Sequence, residues 1–379
     1  MLNNMNIIGI LTFHAAHNYG SMLQNYALQQ ALIKLGYHPE TINLRTPVQK
    51  EMYDYFKPFH KLLNKKRVVY TLMYLPWKKQ LCTKHSLFEK FLSDKLNLSK
   101  ELSKYEDLAS LAPYDAYIIG SDQCWNMTAT DFDWSYFLGF TPEESRKLSY
   151  AISMGPHPQA ILSTGSKGLE KVKELLTRFD GISVRDKDTK AVINQIADGK
   201  LNADIHVDPT LLLSSEDWEK ITPQESIVKG KYIFFYNPYW VEDAFKQAKQ
   251  LGKITGLPVV VSSPNMRGNI LYSDFKKEFE VGPMEFLNLV RNAEYVIGRS
   301  FHLMVFCIIF HKRFIAVEGL GDSRINQLLT FTGLTNCATE KANVEEVINR
   351  LDTLDFAWAD SVIAKEKERA TDWLINHLR

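Results

Sequence analysis

Four cysteines in this chain, none spaced as a C-x-x-C pair, give little material for a thiolate metal site or a disulfide framework. Cys124 and Cys307 lie among apolar or aromatic neighbours, where a thiol behaves as a small hydrophobe, while Cys82 and Cys337 stand apart. Long apolar runs are missing too. The longest, Leu303 to Phe310, falls far short of the ~20 residues that span a bilayer. Residues 1–6 lack the basic residues of a secretory signal, so a cytoplasmic location is expected. The net charge of +1 provides no overall attraction to nucleic acid, and no such partner is expected. No G-x-x-x-x-G-K-S/T loop, no G-x-G-x-x-G after a strand and no G-x-S-x-G elbow occurs, which argues against P-loop, dinucleotide and α/β-hydrolase chemistry.

What remains is an ordinary globular composition, 45% apolar and 23% charged, spread over 379 residues, enough for two domains. The chain alternates short β-rich runs with helical patterns. Residues 6–13 form a near-continuous apolar run, as expected of a parallel strand covered on both faces. A helix follows with Met22, Leu23, Tyr26, Ala27, Ala31, Leu32 and Leu35 at mixed three and four spacings. Further strands are predicted over 37–44, 114–120, 148–154, 181–184 and 203–207. A second series runs over 231–236, 257–262, 294–298 and 313–317. The expected fold class is α/β: two Rossmann-like parallel-sheet domains facing a cleft, with a C-terminal helix crossing back. The predicted boundaries are 1–222 for an N-terminal, acceptor-side domain and 223–356 for a C-terminal, donor-side domain. Residues 357–379 are expected to form a helix packing back on the first domain. A basic helical insertion over 50–105 interrupts the first series. Between Lys57 and Lys90, nine cations meet one acid and are interleaved with Phe59, Tyr70, Tyr74, Trp77 and Phe88. That segment reads either as a solvated amphipathic helical pair or as a contact for an anionic membrane surface or a lipid-linked phosphate.

The chemistry-bearing residues gather where predicted strands end. Glu294–Val317 reads EYVIGRSFHLMVFCIIFHKRFIAV, a strand ending at Gly298 and a helix opening near Ser300. Arg299, Ser300 and His302 therefore sit at a strand-to-helix junction, where free backbone N–H groups and the helix dipole favour an anion. Arg299 adds a bidentate donor for phosphate or carboxylate. The dipole favours neutral His302, and a bound anion would favour its protonated form, as a general acid needs. Arg185, in GISVRDKDT (181–189), ends another strand; it is either an anion ligand or the surface partner of Asp186 or Asp188. Two loops of the first half could hold a sugar. HAAHNYGS (14–21) carries Asn18, Tyr19 and Gly20, and GSDQCWN (120–126) carries Asp122, Gln123 and Trp125. There a ring would cover C–H faces while amides and acids take hydroxyls; an ordinary turn with a packed Trp is the other reading. His14 and His17 lack a nearby acidic or thiolate third ligand, and no metal is expected.

These residues recur in a pattern that resembles the polysaccharide pyruvyl transferase family along roughly residues 6 to 335. The segments that carry the resemblance are GILTFHAAHNYGSMLQNYALQQAL (9–32), YDAYIIGSDQCWN (114–126), ISVRDKDT (182–189), VDPTLLL (207–213) and residues 281–314. The resemblance implies a GT-B-like fold and a transferase moving a pyruvyl group from phosphoenolpyruvate to a sugar diol of a surface glycan or its lipid-linked precursor. Phosphoenolpyruvate would be a co-substrate, with no other cofactor. By motif, Arg185 and His302 match donor-binding positions. The position two before His302, an Arg in the family, is Ser300 here, with Arg299 displaced by one. His302 would be the acid, Arg185, Arg299 and Ser300 the donor grip, and Asp122 the candidate base. Asn18, Tyr19, Gly20, Gln123 and Trp125 would bind the acceptor. The sequence also admits a GT-B glycosyltransferase using a nucleotide-sugar, with Glu318 or Asp322 holding a ribose, or a catalytically decayed glycan-binding member. Peripheral association with the inner membrane face is expected from the basic segment.

Overall fold

Each of two compact units is built on its own parallel sheet. The computed structural model describes residues 7–56, 72–339 and 343–379. Unit 1 comprises Met1–Met52, Leu92–Leu213 and Ile363–Arg379; unit 2 comprises Tyr53–Phe91 and Ser214–Val362.

In unit 1 the strands are β1 (Ile7–Leu11), β2 (His38–Thr41), β3 (Ala116–Ile119), β4 (Arg146–Ile152), β5 (Gly181–Val184) and β6 (Ala203–Ile205). They lie in the order β2-β1-β3-β4-β5-β6, and every pairing is parallel. Pro39, which cannot donate to a ladder, sits on the edge strand β2, where that loss is tolerated. Ile8, Ile10, Ile118 and Leu148 form one side of the core with Leu28 and Leu32 of the helix Tyr19–Lys34. The last part of the helix Phe356–Leu378 completes that core with Ala370, Trp373, Leu374 and Leu378. Gly181 makes its close approach possible, since a Cβ there would lie 2.5 Å from the His377 ring.

Unit 2 carries β7 (Ile233–Tyr236), β8 (Val259–Val261), β9 (Lys276–Lys277), β10 (Tyr295–Gly298), β11 (Phe314–Val317) and β12 (Ala338–Thr339). Their order is β12-β11-β10-β7-β8-β9, again all parallel. All ten predicted strands have a counterpart. The two-residue strands β9 and β12 were not predicted, being too short to show a period.

The units divide the chain differently from the predicted boundaries. Residues 214–222 group with unit 2, because Trp218 is enclosed there, edge-on to Phe306 with centroids 4.9 Å apart. The basic segment, expected as an insertion in the N-terminal domain, groups with unit 2 over Tyr53–Phe91. Its helix Lys78–Lys95 is anchored there by the Lys84 ammonium, which donates to the carbonyls of Ser262 and Val281 at 3.2 Å each. Trp77 adds an edge contact to Phe279 at 5.7 Å. Phe59 and Tyr70, with the cations of 57–71, lie outside the described residues. Among the described residues no helix is long and apolar enough to cross a membrane.

Candidate active site

Open parallel sheets bind ligands at the carboxyl ends of their strands, where the strand order reverses. In unit 1 the reversal falls between β1 and β3, and in unit 2 between β7 and β10. The sequence places its polar loops at both points.

At the unit 1 reversal, Thr12 follows β1, and its hydroxyl donates to Ser121 O at 2.9 Å while accepting from Gln24 Nε2 at 2.9 Å. The Ser21 hydroxyl donates to Asp122, whose other carboxylate oxygen accepts the Gln123 N–H at 2.9 Å. Asp122 has φ +84°, a left-handed backbone that a non-glycine side chain rarely adopts. Such conformations cost about 1–3 kcal/mol and collect at functional sites. Two bonds fix this one: the Ser21 hydroxyl holds the side chain, and Ser153 N donates to Asp122 O at 2.9 Å.

Arg185 follows β5 and is buried. Its partner is neither Asp186 nor Asp188 but Asp208, with Nη1 donating to Oδ2 at 2.9 Å. Asp208 also accepts from the Ser121 hydroxyl at 2.9 Å, and from the Thr210 N–H and hydroxyl at 3.0 and 2.7 Å. Asp186 instead caps the helix Lys187–Ile196, accepting Thr189 N at 2.7 Å and the Ser153 hydroxyl at 2.7 Å. Asp208, Ser121 and Ser21 were not singled out from the sequence. The signal for Asp208 was present in VDPT, which opens one residue beyond the end of β6.

The acceptor residues read from the sequence fare unevenly. Trp125 is a correction: it is fully enclosed, stacked on Phe137 at 5.0 Å, with its indole N–H donating to Tyr136 O at 2.9 Å. Its ring offers no face to a sugar; the aromatic residues that follow it close over it. Asn18 caps the helix Tyr19–Lys34, accepting Gly20 N at 2.9 Å, while Tyr19 and Gly20 are buried in the first turn. Gln123 is half-buried and accepts from Asn126 Nδ2 at 3.0 Å. Its main-chain contact with Asp122 puts it next to that cluster. His14 is buried, its ring nitrogens within hydrogen-bonding distance of Thr12 O and Asn43 Oδ1.

In unit 2, β10 ends at Gly298, where a Cβ would come within 2.0 Å of Tyr236 O. Only glycine lets the end of β10 lie so close to that of β7. Arg299 and Ser300 follow, then the helix Phe301–Ile309 with His302 buried in its first turn. Ser300 is the N-cap in an extended conformation, but its hydroxyl makes no capping bond. Arg299 pairs with the carboxylate of Glu318, both side chains about one-third exposed (31% and 33%). Glu318 itself follows β11 with φ +48°. Asp322 caps the helix Ser323–Thr332 and pairs with Arg324 at 2.8 Å. Burial pushes its carboxyl upward, but the Arg324 guanidinium and the cap N–H groups outweigh that and hold it below the ordinary range. Both carboxylates suggested as ribose holders are therefore engaged by arginines.

Both units thus place an arginine–carboxylate pair at the carboxyl ends of a parallel sheet. The two parallel six-stranded sheets, with helices between their strands, give a GT-B-like fold. Trehalose-6-phosphate synthase superposes with a TM-score of 0.55 at 10% identity, covering 98% of each chain. UDP-GlcNAc 2-epimerase from Neisseria meningitidis, solved with UDP-GlcNAc, gives 0.51 at 9% identity over 98% of this chain and 99% of that one. An α-glucosyltransferase in complex with UDP gives 0.53 at 11% identity, covering 98% and 95%. These likenesses define the fold. The profile of the polysaccharide pyruvyl transferase family matches residues 18–319, and the chain belongs to that family of enzymes. No curated protein matches it.

Proposed function

We propose that the protein transfers a pyruvyl group from phosphoenolpyruvate to a sugar diol, forming a cyclic ketal on a surface polysaccharide or its lipid-linked precursor. The observation that carries this reading is the arginine set: Arg185 after β5 and Arg299 after β10, each fixed by its own carboxylate. Phosphoenolpyruvate carries its carboxylate and its phosphate on the same carbon, and guanidinium forks suit both groups.

In the chemistry we assign, His302 protonates the methylene carbon of the enol phosphate, which becomes a methyl group. A sugar hydroxyl attacks the second carbon and loses its proton, with Asp122 as the assigned base. The C–O bond to phosphate breaks and inorganic phosphate leaves. A neighbouring hydroxyl then closes the ketal and gives up its own proton. Arg185, Arg299 and Ser300 bind the donor. Asn18, Tyr19, Gly20 and Gln123 remain assigned to the acceptor side; for buried Tyr19 and Gly20 that means shaping the loop. No cofactor or metal takes part in this scheme. The protein is assigned to the cytoplasm, with peripheral contact at the inner membrane face through exposed Lys78, Lys79 and Lys90.

Calorimetric titration of the purified chain with phosphoenolpyruvate, inorganic phosphate and UDP- or GDP-sugars tests the reading. Saturable phosphoenolpyruvate binding that competes with phosphate is expected. Binding of nucleotide-sugars without phosphoenolpyruvate would move the protein to glycosyl transfer, and binding of glycan alone to a non-catalytic role.

A further inference from the structure

Three buried polar atoms without hydrogen-bond partners lie on the segments that follow β7 and β8 in unit 2, and none belongs to the donor residues assigned above. They are Nδ2 of Asn237, Oγ of Ser262 and Nδ2 of Asn269, in side chains 3%, 0% and 6% exposed. Buried polar groups are nearly always satisfied, and each exception calls for an explanation. Asn237 directly follows β7 and Ser262 directly follows β8. The register Phe235↔Val261 sets those two strand ends side by side. Asn269 lies in the helix Met266–Leu271, the first helix after Ser262. The position is again the carboxyl edge of an open parallel sheet.

Lys84 brings a cation to the same edge. Its side chain is buried, and its Nζ donates to Ser262 O and Val281 O at 3.2 Å each. Tyr74 adds a hydroxyl that donates to Pro264 O at 3.0 Å, in the connection between Ser262 and Asn269. Burial lowers the Lys84 amine to about 7, and Glu285 partly opposes that shift. The Glu285 carboxylate is itself occupied, accepting Gly282 N at 3.0 Å. Two carboxamide N–H groups and a hydroxyl on the segments that follow β7 and β8, with the Lys84 amine held at Ser262 O, make a set of donors, and what donors of this kind take is an oxyanion.

We infer that Asn237, Ser262, Asn269 and Lys84 form a phosphate subsite at the ends of β7 and β8, beside Arg299 at the end of the neighbouring strand β10. It rests on the pyruvyl-transfer reading in one respect: the phosphate is that of a sugar-phosphate acceptor or the inorganic phosphate released from the donor. With a sugar-phosphate acceptor the subsite would hold the substrate by a group that takes no part in the chemistry; with released phosphate it would hold the product.

The test uses the full chain, titrated with inorganic phosphate and with glucose 1-phosphate, in wild type, Ser262→Ala and Asn237→Asp. Ser262→Ala should weaken binding about ten-fold, the loss of one charge-assisted hydrogen bond. It should also raise the Tm of the ligand-free protein, because it removes a buried hydroxyl that has no partner. Asn237→Asp, which sets a carboxylate in the subsite, should abolish binding. A loss confined to glucose 1-phosphate identifies an acceptor phosphate, and an equal loss for both probes identifies released phosphate. Unchanged binding of both probes in both variants, or a lowered Tm in Ser262→Ala, overturns the subsite. Phosphoenolpyruvate is titrated in parallel. If wild type ignores it while glucose 1-phosphate binding still depends on Ser262, the pyruvyl reading fails and the subsite stands.

Discussion

Arg185 Nη1 donates to Asp208 Oδ2 at 2.9 Å, with the two side chains only 3% and 0% exposed. A buried ion pair is weak evidence for stability, because desolvating both charges offsets most of their attraction. Removing one partner is another matter, since it strands the other charge in the interior. The pair therefore fixes the guanidinium's position more than it strengthens the fold.

Arg185→Ala is expected to cost about 3–5 kcal/mol of stability and to remove measurable phosphoenolpyruvate binding. Arg185→Lys keeps the charge but not the planar fork, and should restore stability more than affinity. Denaturant melts combined with donor titrations read the two effects separately. Equal donor affinity in wild type and Arg185→Lys would show that the fork does not grip the donor.

For His302→Gln the loss should fall on turnover. General acid catalysis typically contributes about 10²–10⁴-fold, whereas donor binding through the arginines should change little. Steady-state phosphate release and a binding titration on the same preparation check this. Turnover near the wild-type value rules out His302 as the proton donor.

Much of this arrangement was legible in the residues. The apolar runs of β1, β3, β4, β7 and β10 marked strands covered on both faces, and the polar loops after them marked the ligand edge. Arg185, Arg299 and His302 could be placed at strand ends because Val184 and Gly298 close their strands abruptly. Partnership was not legible. Nothing local says that Arg185 reaches Asp208, 23 residues on, or that Arg299 reaches Glu318; both pairings depend on strand adjacency, β5 beside β6 and β10 beside β11. Trp125 misled for a similar reason: its polar neighbours suggested a sugar platform, while Phe137 and Phe179 enclose it. The basic segment misled through Lys84, which counted as surface charge and is buried.

Acid should destabilise unit 1 through His206. This ring is buried, 2.9 Å from the Ser183 hydroxyl and packed between Tyr150 and Trp373. Burial, with Arg369 adding to it, lowers its pKa to about 4, against the ordinary 6.5. The unfolded chain therefore binds this proton first as pH falls, so stability drops between about 6.5 and 4 and levels off below. The full shift corresponds to roughly 3–4 kcal/mol. Denaturant melts of wild type and His206→Asn at pH 7 and pH 4.5 isolate it. A wild-type loss no greater than the variant's would remove His206 as the cause.

Lys78, Lys79 and Lys90 are the exposed cations among the described residues of the basic segment, while Lys84 is buried. Each such cation contributes about 1 kcal/mol near an anionic bilayer, and salt screens it. Co-sedimentation with phosphatidylserine vesicles should fall in a Lys78/Lys79/Lys90→Gln triple variant and at high salt. Binding that neutral vesicles match would sink the membrane assignment.

The Arg299–Glu318 pair gives the most direct test of the donor site. Arg299 stands one place before the position where the family carries its arginine, and Glu318 holds it from a left-handed backbone that costs about 1–3 kcal/mol. That strain persists only if its surroundings fix it, so we assign Glu318 the role of positioning Arg299. In Glu318→Gln the amide can still accept from the guanidinium, but without the charge that strengthens the bond. Phosphoenolpyruvate affinity should fall several-fold with turnover at saturation little changed, whereas Arg299→Ala should lose affinity by ten-fold or more, the equivalent of roughly 1.5–3 kcal/mol. The double variant should be no worse than Arg299→Ala alone, because Glu318 acts only through the arginine. Additive losses would mean that Glu318 touches the donor itself, and tighter donor binding in Glu318→Gln would make the carboxylate a competitor for Arg299.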